Sequence, residues 1–392
     1  MQRAVVLTIL LLGLASIARA DSAVRVEDFL TRHWRAPLAP QGAPPARYTA
    51  VEASLAPEAC GTCHPLQLAD WRTSLHAQSM GPGVAGQLVE MMKSAPDDAR
   101  GCLGCHAPLA EQRPGHAAFD GALQSRGLVC AGCHVRAHER FGPPRRDGAL
   151  APPAPRDTLA HNGVTRTPAF LDSGFCRGCH QFTKDGFALN GKLLENTYVE
   201  WKASRFAREG VQCQDCHMPD RRHLWRGIHD AGMVRSGLTI SVAGGETPVR
   251  PGQTFSATLT VESTRVGHAF PTYVTPRVVL RGELVDDAGA VVPGSRRERV
   301  IAREVALDLS REIRDTRLMP GRRARLDYRA VVPRAGLRLR LSVVVEPDAF
   351  YTAFFEMLLE QGAGQGEAQI REALAASRRS AFTLFVRELP AT

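Results

Sequence analysis

The sequence predicts a multidomain α+β protein: a mainly α or irregular domain, then an antiparallel β-sandwich, then a short helical C-terminal segment. Three observations carry this. All ten Cys lie between Cys60 and Cys216. Apolar residues begin to alternate with period two after Arg235, and helical spacing replaces the alternation from Tyr351. The length of 392 residues leaves room for two or three domains. A hydrophobic fraction of 44% with 23% charged residues excludes a wholly disordered chain and a polytopic membrane protein.

Residues 1–20 read as a secretory signal. Arg3 supplies the positive start, 4–14 the apolar stretch, and Ala18-Arg19-Ala20 the small-x-small cleavage pattern. The apolar run is shorter than the roughly 20 residues that span a bilayer. No Cys follows the cleavage pattern, which argues against a lipid anchor. The mature chain is therefore expected to start near Asp21, in the periplasm, with no transmembrane segment after cleavage. The formal charge of +9 comes from 49 basic residues, nearly all Arg, against 40 acidic ones. Nucleic acid is not an expected partner for an exported chain.

Residues 21–57 form a lead-in whose Pro and Ala content predicts an extended path. Residues 58–235 hold every Cys, with short helices expected over 66–76, 86–93 and 194–207 and a Pro-rich loop over 143–155. The β-sandwich is expected over 236–350. Its strands show in Leu238, Ile240 and Val242, in Phe255, Ala257, Leu259 and Val261, in 277–285 before the turn Asp286-Asp287-Ala288-Gly289, and in 337–345. Residues 351–392 read as helical, with 381–386 returning as a final strand. Gly362-Ala-Gly364-Gln-Gly366 resembles a phosphate-binding loop, but it follows a helix rather than a strand and reads as an inter-helix turn.

The ten Cys form five identical patterns: Cys60-Gly-Thr-Cys63-His64, Cys102-Leu-Gly-Cys105-His106, Cys130-Ala-Gly-Cys133-His134, Cys176-Arg-Gly-Cys179-His180 and Cys213-Gln-Asp-Cys216-His217. This is the spacing of c-type haem attachment. Two intervening residues put both thiols on one side of a helical turn, where each can form a thioether to a haem vinyl group. The following His then reaches the iron. Disulfides would not require a His after every second Cys, and structural zinc would need paired motifs, whereas five is odd. The intervals between first cysteines, 42, 28, 46 and 37 residues, exclude a repeat of fixed period. Five covalent c-type haems also suit a chain with only 6% aromatic residues, because the porphyrins themselves can fill the interior. Their propionates can be answered by Arg, with Arg205, Arg208, Arg221 and Arg222 flanking the fifth motif as candidates.

His64, His106, His134, His180 and His217 each supply one ligand per iron. A second ligand decides whether a haem only passes electrons or also binds substrate. Eight further His exist: His33, His76, His116, His138, His161, His223, His229 and His268. The expected second-ligand set is His76, His138, His161, His229 and His268. On one helix, His134 and His138 would share a face and could not straddle one haem, so His138 would serve a neighbour. The same holds for His64 and His76 if the segment between them is helical. Met80 is the Met alternative. His268, in Gly267-His268-Ala269-Phe270-Pro271-Thr272, lies in a loop between strands, where ligation would place Phe270 and Pro271 against a haem.

The first motif is followed by Asp70-Trp71-Arg72-Thr73-Ser74-Leu75-His76-Ala77. Gly127-Leu128-Val129 precedes Cys130, and Asn196-Thr197-Tyr198-Val199-Glu200-Trp201 leads into the fifth motif and Met218. On these residues the stretch 58–235 resembles the multihaem c-type cytochromes of the cytochrome c-554 class, with a C-terminal β-domain added. The resemblance implies a multihaem cytochrome c domain and makes His76 an axial ligand. The chain departs from the tetrahaem type in its fifth motif and in the Gly-His-x-Phe-Pro-Thr loop. That loop looks like the haem-ligand donor of larger exported multihaem cytochromes.

Two functions follow as expectations. The first is a periplasmic electron carrier with five closely spaced haems, mostly bis-His. Its partners would be redox proteins, a membrane-bound quinol oxidase or another cytochrome. The second is a pentahaem oxidoreductase acting on a small nitrogen or sulfur compound at one five-coordinate haem. Because every Cys belongs to a motif, expression with haem-ligation machinery should give a mature protein whose intact mass shows five attached haems. A mass with fewer would contradict the reading.

Overall fold

Proline opens many of the helices in the first half of the chain. In the computed structural model, which describes residues 25–392, Pro57–Gly61, Pro65–Arg72, Pro82–Ser94 and Pro96–His106 each begin on one. Proline suits a first helical position because its missing N–H is one the helix could not pair and its φ is preset. The expected signal, 1–20, lies outside the described residues. Residues 25–33, within the stretch expected to be extended, are helical. The apolar content of that turn explains it: Leu30 and His33 are buried, and Phe29 stacks on His33 at 4.8 Å.

The helix expected over 66–76 stops at Arg72. Thr73 Oγ1 donates to Asp70 O and Ser74 Oγ donates to Trp71 O, so side chains compete for the carbonyls of the last turn. The helix expected over 194–207 is two pieces, Thr197–Lys202 and Arg205–Arg208, broken at Ser204.

The described residues divide into two compact units that alternate along the sequence: 25–81, Ala95–Cys179 and Gln212–Trp225 form one, and Pro82–Ser94, His180–Val211 and Arg226–Thr392 the other. The first unit is made of short helices, turns and a small three-stranded sheet of Val135–Arg136, Glu139–Gly142 and Thr165–Arg166. One of its cores gathers Leu38, Leu109, Leu123, Val129, Ala131 and Val135. A second knot is aromatic: His33, Trp34, Phe141, Phe170 and Phe175 bring their rings within 4.3–6.0 Å of a neighbour.

The second unit carries the antiparallel sheets. The strands are β1 (Leu238–Ala243), β2 (Thr254–Ser263), β3 (Arg277–Val285), β4 (Arg297–Ile301), β5 (Arg303–Val305), β6 (Glu312–Asp315), β7 (Arg323–Val331), β8 (Arg338–Glu346) and β9 (Phe382–Pro390). They form a three-stranded sheet ordered β7-β2-β1, a four-stranded sheet ordered β9-β8-β3-β4 and a β5-β6 hairpin. One core collects the inward residues of both larger sheets, among them Phe255, Leu259 and Val261, Leu280 and Leu284, and Leu339, Leu341 and Val343. Gly282 in β3 is required there. A Cβ at this position would meet the Tyr328 ring at 2.6 Å, and that ring fills the core while its hydroxyl donates to Ser295 O. Helix Glu367–Arg379 packs on Pro82–Ser94 and on Ala349–Gln361, whose Phe355 reaches Gly83, and Phe355, Ile370, Ala373 and Leu374 are buried there. The glycine segment between the two C-terminal helices is an inter-helix turn. Among the described residues no helix is long and apolar enough to cross a membrane.

A buried ion pair ties the β5-β6 hairpin to the short hairpin of Ala188–Leu189 and Lys192–Leu193. Arg303, 1% exposed, bonds Glu312 at 3.0 Å and donates to the carbonyls of Leu189, Lys192 and Leu193. Burial alone would raise the Glu312 carboxyl, but Lys192, Asn190 and Arg303 outweigh it and hold the group below its usual range. A carboxylate lowered in the fold stabilises it above the unfolded-state pKa and loses that contribution as the pH falls through the folded one. Glu312→Gln should therefore destabilise the protein by about 3 kcal/mol at neutral pH, because Arg303 is left buried without its counter-charge. In denaturant titrations the difference from wild type should be full above about pH 4.5 and shrink on further acidification.

Candidate haem-attachment sites

All five motifs lie on short helical turns. Cys60 is in Pro57–Gly61, the second motif ends Pro96–His106, and Cys130–His134, Arg177–His180 and Cys213–His217 are motif helices in themselves. Residues three apart share a helix face, so each pair of thiols points the same way. None of the ten Cys, all described, is in a disulfide.

The motifs are contiguous. Within the first unit the Cys60 thiol is hydrogen-bonded to Cys130, Cys105 to Cys179, and Cys176 to Cys213. Cys133 lies close enough to act on the ionisation of both Cys176 and Cys179. Every motif thus has a neighbour of another motif. The hydrogen bond from Cys130 brings the Cys60 thiol down to about 7, while burial lifts Cys133 to about 11.

Two motif histidines have one ring nitrogen on a backbone carbonyl of the first unit. His106 Nδ1 donates to Ser79 O at 2.6 Å and His134 Nδ1 to Phe141 O at 2.8 Å. This fixes the tautomer that leaves Nε2 for a metal. In the second unit His180 Nδ1 bonds the Tyr273 hydroxyl at 2.7 Å.

His134 faces His223, with ring centroids 6.1 Å apart and planes inclined by 33°. The His223 Nδ1 donates to Arg221 O at 3.1 Å, so both rings are anchored through Nδ1. Burial keeps both imidazoles neutral, His134 down at about 4. Imidazole–metal bonds are about 2 Å, so one metal atom fits between two rings at this spacing. His223 was not in the expected ligand set. Its position depends on Asp70, which is 4% exposed, accepts both Arg222 nitrogens at 2.8 and 2.6 Å, and takes the His223 backbone N–H at 2.9 Å. Nothing in the local sequence announces that link. Arg222, expected near a propionate, is committed to Asp70. Arg205, Arg208 and Arg221 donate to the carbonyls of Thr264, Ala203 and Pro144.

His64 acts electrostatically on His134, His161 and His223, so these four are neighbours. His161 donates through Nδ1 to Gly163 O, and burial lowers it too. His138 is buried, with Nε2 on Gly42 O at 3.1 Å and no hydrogen-bond partner for Nδ1 among the described residues. That orphaned nitrogen suits a buried ligand. The His76 ring contacts Trp225 at 4.6 Å, and Trp225 also contacts His223 at 5.0 Å. His33, outside the expected set, bonds Cys133 O and is held down at about 3 by burial. In the second unit His229 places Nε2 3.0 Å from Asp348. The carbonyl of His217 accepts the Trp225 N–H.

The Gly127-Leu-Val-Cys pattern has a steric cause. Gly127 has φ +69°, and a Cβ there would lie 2.5 Å from Ser79 Oγ and 2.8 Å from His76 O. That close approach sets Ser79 Oγ within reach of His76 O and His106 O, which share its one proton, while it accepts the Leu128 N–H.

The His268 loop is clamped within the second unit. Glu200 accepts the Ala269 N–H, Arg317 bonds Glu200 at 3.1 Å and Thr272 O at 2.7 Å, and Thr197 bonds Thr272. His268 Nδ1 donates to Ala269 O. Phe270 turns into the core shared by the two sheets, so it fills the β-layer rather than serving as a cover for a haem.

The family model described as cytochrome c554 and c-prime matches residues 59–135, the span of the first three motifs. Cytochrome c-552 of Aliarcobacter butzleri is 27% identical over 188 residues, 44% of this chain and 36% of the relative. Cytochrome c-554 of Nitrosomonas europaea is 23% identical over 128 residues, 31% of this chain and 54% of the relative. The chain thus spans between about a third and just over half of the length of these curated relatives. The crystal structure of a penta-heme cytochrome c552 from Thermochromatium tepidum matches with a TM-score of 0.59 and 19% identity, covering 87% of this chain and 99% of that one. The first three motifs thus lie in a stretch similar to that family. The fold of the chain is similar to that of the penta-heme protein.

Ser79 holds the second motif twice, through its hydroxyl and its carbonyl on His106, and its hydroxyl also accepts the Leu128 N–H. Ser79→Ala should lower stability by about 1–2 kcal/mol, since Leu128 N–H and two carbonyls lose a partner. Chemical denaturation followed by circular dichroism checks this.

Proposed function

We propose that the chain is a periplasmic electron carrier with five covalent c-type haems, exported through residues 1–20. One haem would attach at each Cys pair, with His64, His106, His134, His180 and His217 as the first iron ligands. The observation that carries the reading is the contiguity of the motifs. Thiols of different motifs touch in three pairs, so attached porphyrins would lie close enough to exchange electrons along one array.

His223 would be the second ligand opposite His134, and His76, His138, His161, His229 and His268 the remaining candidates. What the haems supply is reversible one-electron chemistry. The chain's own residues fix the tautomers of His106, His134, His161 and His223 through Nδ1, and burial holds His134, His161 and His223 toward the neutral form. The haem-bearing domain would be 58–235, and the two sheets built from 236–350, one of them completed by β9 (Phe382–Pro390), would pack face to face as a β-sandwich. Partners of this carrier would be other redox proteins, a membrane-bound quinol oxidase or a second cytochrome.

Electron paramagnetic resonance of the oxidised protein tests this. Low-spin ferric signals should account for the haems, and His223→Ala should convert one haem to a high-spin signal that exogenous imidazole removes. A stoichiometric high-spin signal in the wild type would favour an enzyme with an open haem. A variant spectrum identical to wild type would remove His223 from the ligand set.

A further inference from the structure

We propose that Tyr273 positions and polarises His180: its hydroxyl oxygen takes the hydrogen bond from Nδ1 and its own proton is directed to Glu195, making this imidazole a stronger donor to iron. The inference rests on the reading of His180 as the ligand of the fourth haem.

The contact differs in kind from those at the second and third motifs. There the acceptors are the backbone carbonyls of Ser79 and Phe141. At His180 the acceptor is a side-chain oxygen 2.7 Å away, with the two rings inclined by only 21° and their centroids 6.4 Å apart. Near-coplanar rings at that separation direct the Nδ1–H edge-on at the phenol oxygen.

A hydroxyl can relay a field where a carbonyl cannot. Tyr273 also hydrogen-bonds Glu195 and Thr197. The phenol carries one proton, and with its oxygen taken up by the His180 Nδ1–H, Glu195 is the acceptor that proton can reach. Hydrogen bonds in series polarise one another, so the carboxylate makes the phenol oxygen a better acceptor from His180. A partner that draws on the Nδ1 proton raises the basicity of the ligating nitrogen, which stabilises ferric over ferrous iron.

The surroundings hold Tyr273 in place. It follows Thr272, whose hydroxyl bonds Thr197 and whose carbonyl accepts Arg317. Glu195, Thr197 and Glu200 come from one short stretch, so the residues before and within Thr197–Lys202 serve both the Tyr273 relay and the His268 loop.

The test is a potentiometric titration of the haem-loaded full chain. Tyr273→Phe should move one midpoint potential to a more positive value and leave the others in place. Glu195→Gln should move the same midpoint in the same direction by less, because the phenol remains but its charged partner is gone. Both variants with five haems by mass and every midpoint unchanged would overturn the inference. If Tyr273→Phe does not load fully, Glu195→Gln alone decides, since it keeps the Tyr273–His180 contact. A wild-type mass showing no haem at Cys176 and Cys179 would instead defeat the underlying ligand reading, before any potential is measured.

Discussion

The carboxylate of Asp70 is the constraint on which the first unit depends. It is almost fully buried, and it is matched by a bidentate guanidinium and a backbone N–H from a segment 152 and 153 residues further along. The paired Arg222 holds the carboxyl below its usual range, so the charge stays in place. An unpaired carboxylate here would cost several kcal/mol, and that penalty is what brings the Arg222–His223 segment in. Once it is in, the His223 ring faces His134, and Trp225 contacts both His223 and His76. The neighbouring Trp71 is fixed by donation to Leu128 O, at the entry to the third motif.

The second unit uses the same device differently. Glu200 and Arg317, each 7% exposed, face one another at 3.1 Å; Arg317 also pairs with the Asp315 carboxylate, and both hold the backbone of the His268 loop. This buried pair is tolerated because a second carboxylate, a loop amide and a loop carbonyl answer it. Loop backbone that packing alone would leave free to shift is thereby held in one arrangement.

What could be read from the sequence was what is local. The Cys-x-x-Cys-His turns are local, and so are strands such as β3, where Val278, Val279, Leu280 and Leu284 leave little doubt about burial. β7 was harder to read. Arg323, Arg325 and Arg329 occupy alternate positions with small or polar neighbours, and the inward set Ala324, Leu326 and Tyr328 only declares itself once β2 pairs with it. The end of Pro65–Arg72 was missed because Thr73 and Ser74 turn their hydroxyls back onto the helix, an effect of hydroxyl chemistry rather than of apolar spacing. His223 and Tyr273 could not be found by inspection. Their roles come from partners remote in sequence, Asp70 and His180, and no pattern near either residue encodes such a link.

The alternation of the two units along the chain has a consequence for ancestry. The helix Pro82–Ser94 is flanked on both sides by segments of the first unit, yet it packs against the C-terminal helices of the second. Gly86 has no room for a side chain there: a Cβ would stand 3.0 Å from the carbonyl of Gly366 and from Ile370. A β-domain joined by simple end-to-end fusion would have no such internal strand of dependence. Shuffling the C-terminal half onto another cytochrome, or cutting it away after Arg235, would leave a fitted helix without its seat. Each half carries a surface shaped by the other's sequence.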